Sequence, residues 1–143
     1  MKILVIGGAG YIGAHICKAL AARGDEPVVF DNLSAGHEHA VQWGPLFRGD
    51  IRSSADLDAA FDEHTPDGVM HFAANIEVGE GQLHPVRFWD NNVSGVVTLL
   101  AAMARAGVKP LVFSSPCAVY GEPDIVPITE RESCKPVSVY GRT

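Results

Sequence analysis

The chain has 143 residues, of which 47% are hydrophobic and 20% charged, with a formal net charge of −6. That length suits one domain, residues 1–143, able to bury about two thirds of its unfolded surface, and the composition excludes a disordered chain. The acidic balance supplies no basic face for nucleic acid, so an anionic ligand has to be met by local donors.

Other classes fall away as quickly. No apolar run approaches the ~20 residues of a membrane span. A single lysine precedes the first apolar run, which is not the start of a signal peptide. Cys17, Cys117 and Cys134 are odd in number and lack metal-ligand spacing. They predict reduced thiols and a cytoplasmic setting.

The first predicted element is a buried strand, Lys2–Ile6, running into Gly7, Gly10 and Gly13. Glycines at this spacing give a tight turn into a helix over about Tyr11–Ala22, which Arg23-Gly24 stops. Bare backbone in the turn lets a pyrophosphate approach, and the free N–H groups of the new helix meet its charge. A second strand, Val28–Asp31, ends in a carboxylate eighteen residues after Gly13. An acid there accepts hydrogen bonds from ribose hydroxyls and repels a 2′-phosphate, which favours NAD over NADP.

The segment Asn32–Trp43 is polar and predicts a loop with at most a short helix. His37 and His39 within it have no carboxylate or cysteine partner at metal-binding spacing, so no metal site is expected. A short strand, Leu46–Arg48, precedes Gly49 and Asp50, and Asp50 is placed to reach an adenine edge or to serve a turn. Ser53 caps a helix running to about Glu63. Gly68–Phe72 is the fourth strand. Ala73 and Ala74 after it are small enough for a flat ring or a pyrophosphate to pass close by.

Pro85 opens a long helix to Ala106, which Gly107 stops. Asn91 and Asn92 lie inside it, where asparagine is a mediocre helix former. They face either the cofactor or a neighbouring loop, or else solvent. Leu111–Ser114 is the fifth strand. Ser114 and Ser115 emerge at its end as candidates for binding a reacting oxygen. Pro116 to Thr143 holds four prolines and predicts mostly loop, with Tyr120 and Tyr140 in it. Strand–helix alternation gives an α/β, Rossmann-type, doubly wound parallel sheet of order 3-2-1-4-5, with ligand at the switch between strands 1 and 4.

These residues carry a resemblance. Gly7–Gly13, Phe30-Asp31-Asn32-Leu33-Ser34, Gly49-Asp50-Ile51-Arg52, His71–Ala74 with Ile76-Glu77-Val78-Gly79-Glu80, Asp90–Gly95, Val112–Ser115 with Ala118–Gly121, and Tyr140-Gly141 are similar to the N-terminal part of the UDP-glucose 4-epimerases. These are extended short-chain dehydrogenase/reductases. The resemblance implies tightly held NAD and a UDP-galactose or UDP-glucose substrate, with hydride leaving and returning at sugar C4. It also implies a cofactor set of Gly7, Gly10, Tyr11, Ile12, Gly13, Asp31, Asn32, Asp50, Ile51, Phe72, Ala73, Ala74, Asn91 and Ser114. Tyr140 matches the tyrosine of the family's Y-x-x-x-K motif, and Ser115 is the nearest hydroxyl to the family's strand-5 serine or threonine.

Two departures accompany it. Thr143 is the last residue given, so the motif's lysine would be residue 144, and the family's sugar-binding region lies beyond it. Pro116 stands where the family has its catalytic serine or threonine, and Ser115 beside it faces the other way on an extended strand. Val139, where the family often has proline, is a minor departure. The expectation is an incomplete domain with strand 5 at an unpaired edge and negligible epimerase activity of its own. Alternatives are a standalone NAD-binding module, and a nucleotide-sugar epimerase or dehydratase of another specificity. The helix from Pro85 is the expected surface for pairing, as a homodimer or with an intact homologue.

Overall fold

The first strand, β1 (Lys2–Ile6), sits at the centre of a five-stranded parallel sheet. The computed structural model describes every residue from Met1 to Thr143. Its strands are ordered β3-β2-β1-β4-β5, with β2 Glu26–Asp31, β3 Leu46–Arg48, β4 Gly68–His71 and β5 Leu111–Phe113. This is the order expected from the strand–helix alternation. Ile6 at the end of β1 stands beside Phe30 on one side and His71 on the other. The carboxyl ends of the three central strands are therefore level, and the loops that leave them share one edge.

Alternation along each strand explains the two-sided core. Leu4, Ile6, Val28, Phe30 and Val69 face one way and pack with Leu57, Phe61, Leu99 and Met103. Ile3, Val5 and Val29 face the other way, with Ala9, Cys17 and Leu20. Both faces are apolar because helices cover both. The first face is covered by α2 (Ser54–His64) and a later helix, and the second by α1 (Tyr11–Ala22). Each large side chain so buried stabilises the fold by about 1.5–3 kcal/mol relative to exposure. The Ser53 hydroxyl caps α2 by accepting the Asp56 N–H at 3.2 Å.

The chain departs from expectation chiefly after β4. A short helix, α3 (Val78–Leu83), forms where none was predicted. The helix from Pro85 is not one regular element. It comprises α4 (Pro85–Phe88), a π turn over Trp89–Ser94, and α5 (Gly95–Ala106). The π turn carries Asn92, whose side chain bonds to two other segments. The last stretch also carries a 3₁₀ turn, Cys117–Tyr120, and one helical turn, α6 (Val139–Arg142). In α6 the Ser138 hydroxyl accepts the Gly141 N–H at 3.0 Å, a local cap that composition alone hides behind the prolines. Smaller shifts are that β2 begins at Glu26, β4 stops at His71 and β5 stops at Phe113.

Candidate active site: a dinucleotide cleft

The loop between β1 and α1 is shaped by its glycines. Gly7 has φ +79°, and a Cβ there would lie 2.6 Å from the Ala73 nitrogen. Its bareness lets the loop press against the segment leaving β4. A Cβ on Gly13 would lie 2.2 Å from the Gly7 carbonyl oxygen, so only glycine lets α1 start this close to β1. Gly10 differs. Its backbone is extended, at φ −81° and ψ 173°, and its Cβ would have only the Gly7 oxygen near it, at 3.3 Å. That single contact asks for a shift of only a few tenths of an ångström, and Gly10 otherwise faces the open cleft.

The amides of this turn divide into paired and free. Gly7 donates to the Phe30 carbonyl, Ala9 to Asp31 and Ala14 to Gly10. The N–H groups of Tyr11, Ile12 and Gly13 have no intramolecular partner. The first turn of α1 carries no acidic residue and no side-chain cap. An uncapped N-terminus of a twelve-residue helix, with no carboxylate to quench it, is a ready site for an anion.

Asp31 is buried at the end of β2. Its two carboxylate oxygens accept from the Ala9 N–H at 3.0 Å and the Leu33 N–H at 2.8 Å. Each oxygen keeps lone-pair capacity, which ribose hydroxyls can use. Asp50 has little left. It accepts from the Arg52 backbone N–H, twice from the Arg52 guanidinium, and from the Asn32 amide. Those bonds, the guanidinium foremost, hold its carboxyl far below the usual carboxylate range. Arg52 also donates to Asp90 at 2.9 Å, tying the end of β3 to the π turn.

A cleft of about 510 Å³ runs over the carboxyl ends of β1, β2 and β4. Of the residues picked from the sequence, Gly7, Gly10, Tyr11, Ile12, Gly13, Asp31, Asn32, Ile51, Phe72, Ala73, Ala74 and Asn91 line it. Asp50, Ser114, Ser115 and Tyr140 do not. Asp50 is turned into its pairing with Arg52, and the two serines sit exposed beyond the end of β5. Ser114 uses its N–H on the His71 carbonyl. Pro116 follows with neither hydroxyl nor N–H. Among lining residues that sequence reasoning passed over, Gly36 packs directly on Ala9, while Asn75, Glu77 and Arg87 form the far wall. No glycine pattern or strand end marks these; they arrive through the loop after β4 and through α4.

Asn92 was singled out as a polar residue in a helix, and it is buried. Its oxygen accepts from the Asn75 N–H at 2.8 Å and from the Asn91 amide at 2.9 Å. Its amide donates to the Asn75 carbonyl at 3.0 Å and to the Thr143 hydroxyl at 3.1 Å. Thr143 in turn donates to the Tyr140 carbonyl. One side chain thus joins the cleft wall to the turn that carries Tyr140. Tyr140 itself is half-buried, and burial pushes its hydroxyl pKa up, with Cys117 and Glu77 adding to the rise. The lowering that a catalytic base needs is not present around it.

A parallel sheet of this order, a glycine turn onto a bare helix N-terminus and a carboxylate closing β2 define a Rossmann-type dinucleotide-binding unit. The chain belongs to the NAD dependent epimerase/dehydratase family, which it matches over residues 3–143. It is 55% identical over 142 residues to a UDP-glucose 4-epimerase of Rhizobium meliloti (strain 1021), an alignment covering 99% of this chain and 43% of that protein. The UDP-glucose 4-epimerase of Brucella ovis, solved in complex with NAD, superposes with a TM-score of 0.95 at 45% identity, over 99% of this chain and 43% of the other. That of Bifidobacterium longum, solved with NAD+ and UDP, superposes at 0.93 and 32% identity, covering 99% and 45%. The chain therefore spans less than half the length of these relatives.

Proposed function

We propose that this chain forms the NAD-binding portion of a nucleotide-sugar 4-epimerase that interconverts UDP-galactose and UDP-glucose. The observation that carries the reading is the cleft in which unpaired N–H groups at the start of α1 face the open space over Gly10, with Asp31 at its ribose end. When bound, NAD would supply the hydride acceptor and donor for sugar C4. The residues present fit it. The glycine turn takes the diphosphate, Asp31 takes a ribose diol, and Ile51 and Phe72 offer apolar walls to the rings. Asp31 also sets the preference for NAD, since a 2′-phosphate would meet a buried carboxylate.

The chemical step is less well provided for. Tyr140 is the family's candidate base, yet its surroundings hold its proton more tightly. Pro116 removes the hydroxyl that the resemblance would place at the end of β5, and Ser115 is not turned into the cleft. We infer that the 143-residue chain binds NAD and turns over UDP-galactose at a negligible rate. Val86, Trp89, Val97 and Leu100 form an exposed apolar stripe along α4 to α5, which supports self-association through that face. No helix here is long and apolar enough to cross a membrane.

Calorimetric titration with NAD, with NADP as control, tests the binding reading. Saturable NAD binding, with NADP at least tenfold weaker, is the expected result. Absence of NAD binding would overturn it, and conversion of UDP-galactose at an epimerase's ordinary rate would overturn the inference of inactivity.

A further inference from the structure

We propose that Arg87 is a diphosphate-binding residue of this cleft, the side-chain partner of the anion held by the α1 N-terminus. The inference rests on the reading of the cleft as a dinucleotide site and adds a residue to it.

The argument starts from charge. The chain is acidic overall, at −6, and the cleft lining includes the carboxylates of Asp31 and Glu77. An incoming dinucleotide therefore meets no favourable long-range field. Arg87 is the only lysine or arginine among the lining residues. Its charge is also unspent. Arg23, Arg48, Arg52 and Arg105 each sit on a carboxylate at 3.0 Å or closer. Arg87 has no ion pair, and its guanidinium makes no hydrogen bond within the chain.

Its backbone is held firmly enough to aim the side chain. The Arg87 carbonyl accepts from the Asn75 amide at 3.4 Å, and its N–H donates to the His84 carbonyl at 3.1 Å. Phe88, the next residue, is fully buried and anchors α4. A guanidinium offers planar paired donors that match phosphate oxygens and keeps its charge at any working pH. The free amides of α1 and the exposed Arg87 line the same cleft, and a diphosphate is the part of the ligand able to use both.

The test compares adenosine, AMP, ADP-ribose and NAD binding to the parent chain, Arg87→Ala, Arg87→Lys and Lys109→Ala. Lys109 lies outside the cleft and controls for net charge. For Arg87→Ala, NAD and ADP-ribose are expected to weaken about tenfold, the worth of one charge-assisted hydrogen bond. AMP should weaken less and adenosine not at all. Arg87→Lys should recover part of the loss, and the salt dependence of NAD binding should flatten in Arg87→Ala alone. NAD affinity within twofold of the parent in Arg87→Ala overturns the proposal, as does an equal loss for adenosine, which would mark a structural role. Failure of the parent chain to bind NAD would instead remove the dinucleotide reading on which the proposal rests.

Discussion

Asp31 accepts the backbone N–H of Ala9 at 3.0 Å, so the carboxylate that closes β2 also holds the glycine turn after β1. Its other oxygen takes the Leu33 N–H at 2.8 Å, in the turn that leaves β2. Two loops from neighbouring strands are thereby fixed by one side chain at the floor of the cleft. On the proposed reading, the residue that would face the ribose also shapes the turn that would take the diphosphate.

Substitutions at Asp31 should therefore divide by chemistry. Asp31→Ala leaves two N–H groups without their acceptor and is expected to cost about 2–6 kcal/mol, at about 1–3 kcal/mol for each donor. Asp31→Asn keeps one acceptor oxygen but sets an NH2 against the other N–H, and should cost about half of that or somewhat more. Both should weaken NAD, and the asparagine variant should narrow the gap between NAD and NADP because the carboxylate charge is gone. Urea unfolding with parallel calorimetry checks this. Equal stability of the alanine variant and the parent would show that the Ala9 and Leu33 bonds contribute nothing.

The glycines give an opposing pair. Gly13→Ala puts a Cβ 2.2 Å from the Gly7 oxygen, which forces α1 away from β1. A loss of roughly 2 kcal/mol or more is expected, with NAD binding falling alongside. Gly10→Ala makes one tight contact, with the Gly7 oxygen at 3.3 Å, and has compatible backbone angles. It should change stability by less than about 1 kcal/mol and weaken NAD by at least tenfold, because the methyl group occupies the ligand's space. A Gly10→Ala chain that binds NAD normally would mean that nothing approaches the turn there.

The strands and the glycine turn were legible because strong, short-range signals specify them. Apolar runs bounded by Gly and Asp are buried strands, and a glycine triplet followed by a helical pattern leaves few alternatives. The far wall of the cleft was not legible. Asn75, Glu77 and Arg87 reach it through the loop after β4 and through α4, and Asn92 holds that loop by bonds from a distant part of the sequence rather than by local propensity. Asp50 shows the other limit. Its place at the end of β3 was right, yet only the structure shows its carboxylate already engaged by Arg52 and Asn32.

Asn92 carries a prediction of its own. All four of its side-chain hydrogen bonds are made, with the segment after β4, Asn91 and Thr143. Asn92→Asp removes both amide donors, so it should free Thr143 and loosen the α6 turn. Asn92→Leu should cost about 2–4 kcal/mol, since the part-buried Asn75 backbone groups lose their partners. Hydrogen exchange reads the difference. Faster exchange at Gly141 and Arg142 in the Asp variant, with β1 and β2 unchanged, is expected. Unchanged exchange at those amides would show that Asn92 does not tie the two segments together.

His71 gives the chain an acid limit that does not depend on ligand. The residue ends β4, is 3% exposed and packs on Phe113 with ring centroids 5.1 Å apart. Its Nδ1 has no hydrogen-bond partner. Burial with nothing to receive a proton lowers its pKa to about 4 from an ordinary 6.5. The unfolded chain then takes up this proton at a higher pH than the folded one. The neutral ring's contribution is fully present above about pH 6.5 and is lost as pH falls toward about 4, a total of roughly 3 kcal/mol. Between pH 7.5 and 5.5 the loss attributable to His71 should be about 1 kcal/mol, rising steadily below that. Chemical unfolding at pH 7.5, 5.5 and 4.5, for the parent and for His71→Leu, isolates it. The variant should lose less stability across that range than the parent. Parallel pH profiles in the two chains would mean that His71 takes up its proton equally readily folded or unfolded.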